Sequence, residues 1–174
     1  LHTGDPSIYG AIREQMDRLR ALAIPFDITP GVSSFCAAAA AAEAEFTLPS
    51  VSQTLIITRM EGRTPVKEKK KIRLLAQHQA SMALFLSTGL LEGLCSELIA
   101  GGYSPETKAV MVYKASWPEE KIIRANLTTL PELAKEAGIK NTAMILVGAF
   151  LGDDYELSKL YDSHFSHGFR KASE

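Results

Sequence analysis

Leu1-His2-Thr3-Gly4-Asp5-Pro6-Ser7-Ile8-Tyr9-Gly10 opens the chain with the pattern of a strand end, a tight loop and a helix start. Asp5 has the chemistry of a helix N-cap, and Pro6 suits a first helical turn because its missing N–H would find no partner there anyway. Thr3-Gly4 is then the loop. Without a side chain on Gly4, a flat ligand can lie against the main chain where an α/β sheet presents its strand ends. An ordinary capped helix needs the same residues, so local chemistry leaves both readings open. A strand that ends at Leu1 or His2 requires earlier residues, and there is no initiator Met. We therefore expect a fragment whose first sheet continues upstream. Nothing at this end reads as a signal peptide.

Outward from that loop, residues 6–23 predict a helix with Ile8, Ile12, Met16, Leu19 and Leu22 along one stripe. Residues 25–29 read as a short strand ended by Pro30-Gly31, so strand, helix and strand suggest a parallel unit. Ser33 is the expected N-cap of an Ala-rich helix over 35–44. With Ser34 it would place hydroxyls at the same sheet edge as Thr3-Gly4, so that the two loops face one ligand. These two strands are too little sheet for the apolar stripe and the Ala-rich helix, which we expect to be held loosely.

A domain boundary is expected near Pro49, giving residues 1–49 as the end of a first α/β domain, 50–152 as a second and 153–174 as a polar tail with aromatic anchors. In the second unit, strands are predicted at 54–58, 81–87, 108–114, 121–127 and 142–148, and helices at 69–78, 90–100 and 131–137. The strands at 108–114 and 121–127 could pair as a hairpin around Pro118. The fold class is thus α/β, with a mixed sheet and flanking helices in the second domain.

Composition narrows the function. A net charge of −1 gives no electrostatic support to nucleic-acid binding, and the run Lys67-Glu68-Lys69-Lys70-Lys71 reads as a solvated helix start. Cys36 and Cys95 sit in apolar helical patterns and read as buried, reduced thiols, which fits a cytoplasmic protein. Of His2, His78, His164 and His167 only the last two are near neighbours, so no metal site is expected. Neither a G-x-G-x-x-G turn nor a P-loop is present. No catalytic set follows from residue order alone.

Thr3-Gly4-Asp5-Pro6, Pro30-Gly31-Val32-Ser33-Ser34, Leu48-Pro49 with Ser52-Gln53-Thr54, Thr58-Arg59 with Gly62-Arg63-Thr64-Pro65, and Phe85-Leu86-Ser87 together resemble the tetrapyrrole methyltransferase family. The tail from Leu160-Tyr161 to His167-Gly168-Phe169-Arg170 adds to it. The resemblance implies a two-domain α/β architecture, here with its first domain incomplete, and a homodimer in the intact enzyme. It implies S-adenosylmethionine-dependent methyl transfer to C11 of precorrin-4, or of its cobalt form, in cobalamin biosynthesis. The partners would then be a small tetrapyrrole substrate, with neither nucleic acid nor membrane.

Carried over from the family, the cofactor would be surrounded by Thr3, Gly4, Asp5, Ile8, Ser33, Ser34, Leu86, Ser87 and Ala115. Ser87 stands where related uroporphyrinogen methyltransferases have Met, and Ala115 where they have Gly. Arg59 and Arg63 would offer planar donor forks to substrate carboxylates, although two solvated loop arginines would look the same in sequence. A sibling methyltransferase with another substrate, or a noncatalytic ligand-binding or assembly module on the same fold, remains open at this point.

Overall fold

Strand pleating organises the molecule. In the computed structural model, which describes residues 2–158, 162, 164–166, 168 and 171, five strands form one mixed sheet. They are β1 (Leu55–Arg59), β2 (Ser81–Phe85), β3 (Lys108–Tyr113), β4 (Lys121–Asn126) and β5 (Ala143–Val147), in the order β1-β2-β5-β3-β4. β1 and β2 are parallel, while β5 runs antiparallel between β2 and β3, and β3 and β4 make the expected hairpin. The carboxyl ends of β1, β2 and β3 and the amino end of β5 therefore share one edge.

Alternate side chains divide the core between the two faces of the sheet. Met82, Leu84, Met111, Ile145 and Val147 face one way and pack with Leu91, Leu94, Leu98 and Leu130. These last belong to α4 (Leu91–Ala100) and α5 (Leu130–Glu136), beside α3 (Ile72–Ala76). Ala83, Val110, Val112, Met144 and Leu146 face the other way. Burial on both faces is why the central strands read as continuous apolar runs. Fully burying Leu94 or Leu98, each 0% exposed, contributes about 1.5–3 kcal/mol. At the end of α4, a Cβ on Gly101 would stand 2.4 Å from the Arg73 carbonyl oxygen, so only glycine lets α3 approach so closely.

The opposite face is covered by the Ala-rich helix, α2 (Ser34–Ala41). Ala38 and Ala42 are 0% and 2% exposed, against Val110, Met144 and Leu146. This corrects the expectation that the helix lacks a sheet to lie on. Methyl side chains let a helix sit close to a strand, and the sheet it uses is that of residues 55–147, far along the chain. The same geometry corrects Cys36. With Ala38, Ala39 and Ala42 turned inward, Cys36 faces out and is exposed, whereas Cys95 is buried as expected. Burial pushes the Cys95 thiol up to about 11.

Residues 6–23 do not form one helix. α1 covers only Ile12–Ala21 and buries none of its residues. Residues 6–9 are a turn, Tyr9 and Ala11 have φ of 56° and 51°, and a Cβ on Gly10 would lie 2.1 Å from the Pro6 carbonyl oxygen. The chain folds back on itself there, and a left-handed residue cannot continue an α-helical ladder. Residues 25–29 carry no ladder either, because among the described residues no strand pairs with them and an isolated extended segment has no partner for its amides. The helix expected at 69–78 is divided by Lys71, whose extended backbone (ψ 147°) separates a single 3-10 turn at Glu68–Lys70 from α3. No described helix is long and apolar enough to cross a membrane. Leu1, Leu160, Tyr161, His167, Phe169 and Arg170 lie outside the described residues.

Candidate active site

A cleft of about 830 Å³ opens at the sheet edge where β2 and β3 end and β5 begins. One wall is built from Thr3, Gly4, Asp5 and Ile8 with Val32, Ser33 and Ser34. Gly4 adopts φ 65°, a left-handed conformation that glycine takes without strain. Asp5 is not the cap of a long helix but a clamp between loops. One carboxylate oxygen accepts the Ser7 amide at 2.8 Å and the Ser7 hydroxyl, and the other accepts the Gly31 amide at 3.0 Å. These bonds, the Ser7 hydroxyl foremost, hold the Asp5 carboxyl below its usual value. The two loops abut so closely that a Cβ on Gly31 would sit 2.1 Å from the Gly4 carbonyl oxygen.

The facing wall comes from the strand ends: Phe85 at the end of β2 with Leu86 after it, Val112 with Lys114 to Trp117 around the end of β3, and Lys140 to Met144 around the start of β5. Leu86 has φ 51° and is 71% exposed, so an apolar side chain is held open at the cleft by a conformation that bulky residues rarely adopt. Ala115 follows β3 in the same wall. Thr3, Gly4, Asp5, Ile8, Ser33, Ser34, Leu86 and Ala115 are thus gathered around one space.

Three expected site residues do not line this space. Ser87 is fully buried behind the wall, where its hydroxyl donates to the Phe85 carbonyl at 2.7 Å and accepts the Met60 amide at 2.9 Å. It stitches the ends of β1 and β2 together. Arg59 and Arg63 do not line the cleft. The Arg59 guanidinium donates to the carbonyls of Met60 (3.2 Å) and Thr64 (3.3 Å), bracing the loop that follows β1. Arg63 is exposed near the tip of that loop.

The sequence reading did not single out Tyr9, Phe85, Lys114, Trp117 and Lys140, which also line the cleft. The rings of Tyr9 and Phe85 meet at a tilt of 44° with centroids 4.9 Å apart, joining the two walls. Burial pushes the Tyr9 phenol above its usual value, against the pull of Arg59. The pairing of β5 with β2 and β3 brings Phe85, Lys114, Trp117 and Lys140 to one edge, and Tyr9 reaches it from the N-terminal turn. Among the described residues no group of three or more His, Cys, Asp or Glu could hold a metal ion.

A family model for tetrapyrrole (corrin/porphyrin) methylases matches residues 1–131. The chain belongs to this family. It is 54% identical over 99% of its length to a cobalt-precorrin-4 C(11)-methyltransferase of Methanocaldococcus jannaschii, covering 67% of that protein. To the enzyme of the same name from Priestia megaterium it is 51% identical over 98% of its length, covering 68% of that protein. The X-ray structure of a cobalt precorrin-4 methyltransferase superposes with a TM-score of 0.85 at 50% identity, over 87% of this chain and 63% of that one. At 19% identity and a TM-score of 0.68, the Thermus thermophilus uroporphyrin-III C-methyltransferase complexed with S-adenosyl homocysteine shares the fold, over 85% of this chain and 64% of that one. Against these methylases the chain spans about two thirds of the length.

Proposed function

We propose that this tetrapyrrole methylase transfers a methyl group from S-adenosylmethionine to C11 of cobalt-precorrin-4 or precorrin-4 in cobalamin biosynthesis, and that the cleft between Thr3–Asp5, Ser33-Ser34 and the strand ends is where it does so. The observation that carries this reading is the clamp of Asp5 on Gly31, which holds two loops distant in sequence in one wall. The residues present fit the cofactor. About 830 Å³ falls within the range of small-molecule sites, glycine backbone and short hydroxyl side chains allow close approach, and the open Leu86 side chain offers an apolar surface.

When bound, the cofactor supplies a sulfonium methyl that is already electrophilic, so the protein needs no nucleophile of its own. What the chain must provide is alignment and exclusion of water. The Asp5–Gly31 hydrogen bond joins the loops that carry Thr3-Gly4 and Ser33-Ser34, while Phe85, Leu86 and Ala115 close the opposite side. Ser87 supports this wall from behind. Arg63 is free to meet a substrate carboxylate, and Arg59 keeps the loop that presents it in shape. We place the boundary between the two family domains near Pro49, and read the protein as a cytoplasmic homodimer in its intact form.

Calorimetric titration of the intact protein with S-adenosylhomocysteine tests the cofactor site, and product analysis after incubation with S-adenosylmethionine and precorrin-4 or its cobalt form tests the reaction. Binding with C11 methylation is expected. Binding without methylation of either form would leave a sibling activity or a noncatalytic ligand-binding module, and no binding by folded protein would remove the reading altogether.

A further inference from the structure

The turn between β3 and β4 displays the chain's single tryptophan at the mouth of the cleft. Trp117 is 55% exposed, and among the described residues its indole N–H has no hydrogen-bond partner. The backbone that carries it is, by contrast, tightly held. The Lys114 amide donates to the Thr142 carbonyl at 3.0 Å, the Trp117 amide to the Lys114 carbonyl at 3.0 Å, and the Ser116 amide to the Glu120 carboxylate at 2.6 Å. Two residues without glycine's freedom, Lys114 and Ser116, adopt φ of 48° and 70° within this turn. Such conformations persist only where the surroundings impose them, and they concentrate at binding sites.

We propose that Trp117 stacks on the face of a flat, conjugated nitrogen ring of the ligand held in the cleft, an inference that rests on the reading of the cleft as a methyl-transfer site. The Lys114 ammonium is 5.2 Å from the Trp117 ring centre, 5.4 Å from that of Tyr113 and 3.5 Å from the Glu119 carboxylate. Its charge is already answered by Glu119 and by two ring faces, so this lip offers no unbalanced cation to an anion. What it does offer is the exposed indole surface that the Lys114 ammonium leaves uncovered. An apolar ring held in water by a rigid turn is a preorganised contact, because little ordering remains to oppose binding when a ligand covers it. Two rings of this chemistry belong to the proposed reaction: the purine of the cofactor and a pyrrole ring of the tetrapyrrole.

The test is calorimetric titration of the intact wild type and of the variants W117F, W117L and W117A with S-adenosylhomocysteine and, separately, with uroporphyrin III. The thermal midpoint of each variant is measured alongside. W117A is expected to lose about tenfold in affinity, the scale of one ring-on-aromatic stacking contact. W117F should recover to within about threefold and W117L should not, because stacking needs a ring whereas simple packing does not. A loss confined to S-adenosylhomocysteine assigns the purine, and a loss confined to uroporphyrin III assigns the macrocycle. Recovery by W117L equal to that by W117F, or W117A binding as tightly as the wild type, overturns the proposal. A wild type that binds neither probe removes the reading of the cleft and this inference with it.

Discussion

The Asp5 carboxylate accepts the Gly31 amide at 3.0 Å across twenty-six positions of sequence, and the Gly4 carbonyl lies where a Gly31 side chain would begin. One hydrogen bond and one missing Cβ therefore set the spacing of the two loops that wall the cleft. The consequence is mechanical, since Thr3-Gly4 belongs to no helix or strand, whereas Ser33-Ser34 open α2, which packs on the sheet.

The clamp depends on an ionised carboxylate. Because the Asp5 carboxyl is held below its ordinary value of 3.8 in the folded protein, its contribution is complete above that value and is lost as pH falls through the lower folded one. Cofactor affinity should accordingly stay level from neutral pH down to about 4 as far as Asp5 is concerned. D5A should weaken S-adenosylhomocysteine binding at pH 7, and D5N less so. A carbon-detected NMR titration placing the Asp5 midpoint at or above 3.8 would contradict the clamp.

Substituting Gly31 by alanine puts a methyl group 2.1 Å from a backbone oxygen that cannot rotate away. A loss of about 1–3 kcal/mol is expected, typical of overpacking, together with weaker cofactor binding as the loops part. Gly62 is the control, since a Cβ there meets only the Leu90 side chain at 3.5 Å. Denaturant midpoints of G31A and G62A provide the comparison, and equal stability of the two variants would refute the close approach.

Ser87 should affect stability more than affinity. Its hydroxyl is the partner of the Met60 amide, and S87A leaves that partly buried donor unpaired, at a cost of roughly 1–3 kcal/mol. Urea unfolding is expected to show this loss while calorimetry finds cofactor affinity within about threefold of wild type, a ratio worth less than 1 kcal/mol. A large loss of affinity in a variant of unchanged stability would move Ser87 into direct contact with the ligand.

Hydrogen exchange should separate the two N-terminal helices. α1 buries no residue, whereas α2 sets Ala38 and Ala39 against the sheet. Fast exchange is expected across Ile12–Ala21 and slow exchange across Ser34–Ala41, approaching that of β2 and β5. Equal protection of α1 and α2 would mean that the stripe of Ile12, Met16 and Leu19 is covered.

Wherever strand or helix type was set by local pattern, the sequence sufficed. Met82 to Phe85, Ala109 to Val112 and Met144 to Val147 are apolar on both sides of the pleat, and such runs between turn residues have few alternatives to a central strand. The loops carrying Thr3-Gly4 and Ser33-Ser34 were legible as strand-edge loops from their Gly, Pro and Ser content. Local pattern misled where a long-range partner decided. The periodicity of residues 6–23 favoured one helix, yet Tyr9 takes a left-handed conformation with its ring on Phe85, a residue seventy-six positions away. Residues 25–29 have strand composition but no ladder partner among the described residues.

For the site, the residue types were determined by sequence and the company they keep was not. Asp5 and Gly31 meet between two loops twenty-six positions apart, Tyr9 reaches Phe85 from the N-terminal turn, and Lys114 meets Thr142 because β5 runs antiparallel beside β3, which brings the ends of β2 and β3 and the start of β5 to one edge. Strand order and register follow from burying both faces of the sheet at once. That free energy belongs to the whole packed chain, so no short window of sequence contains it.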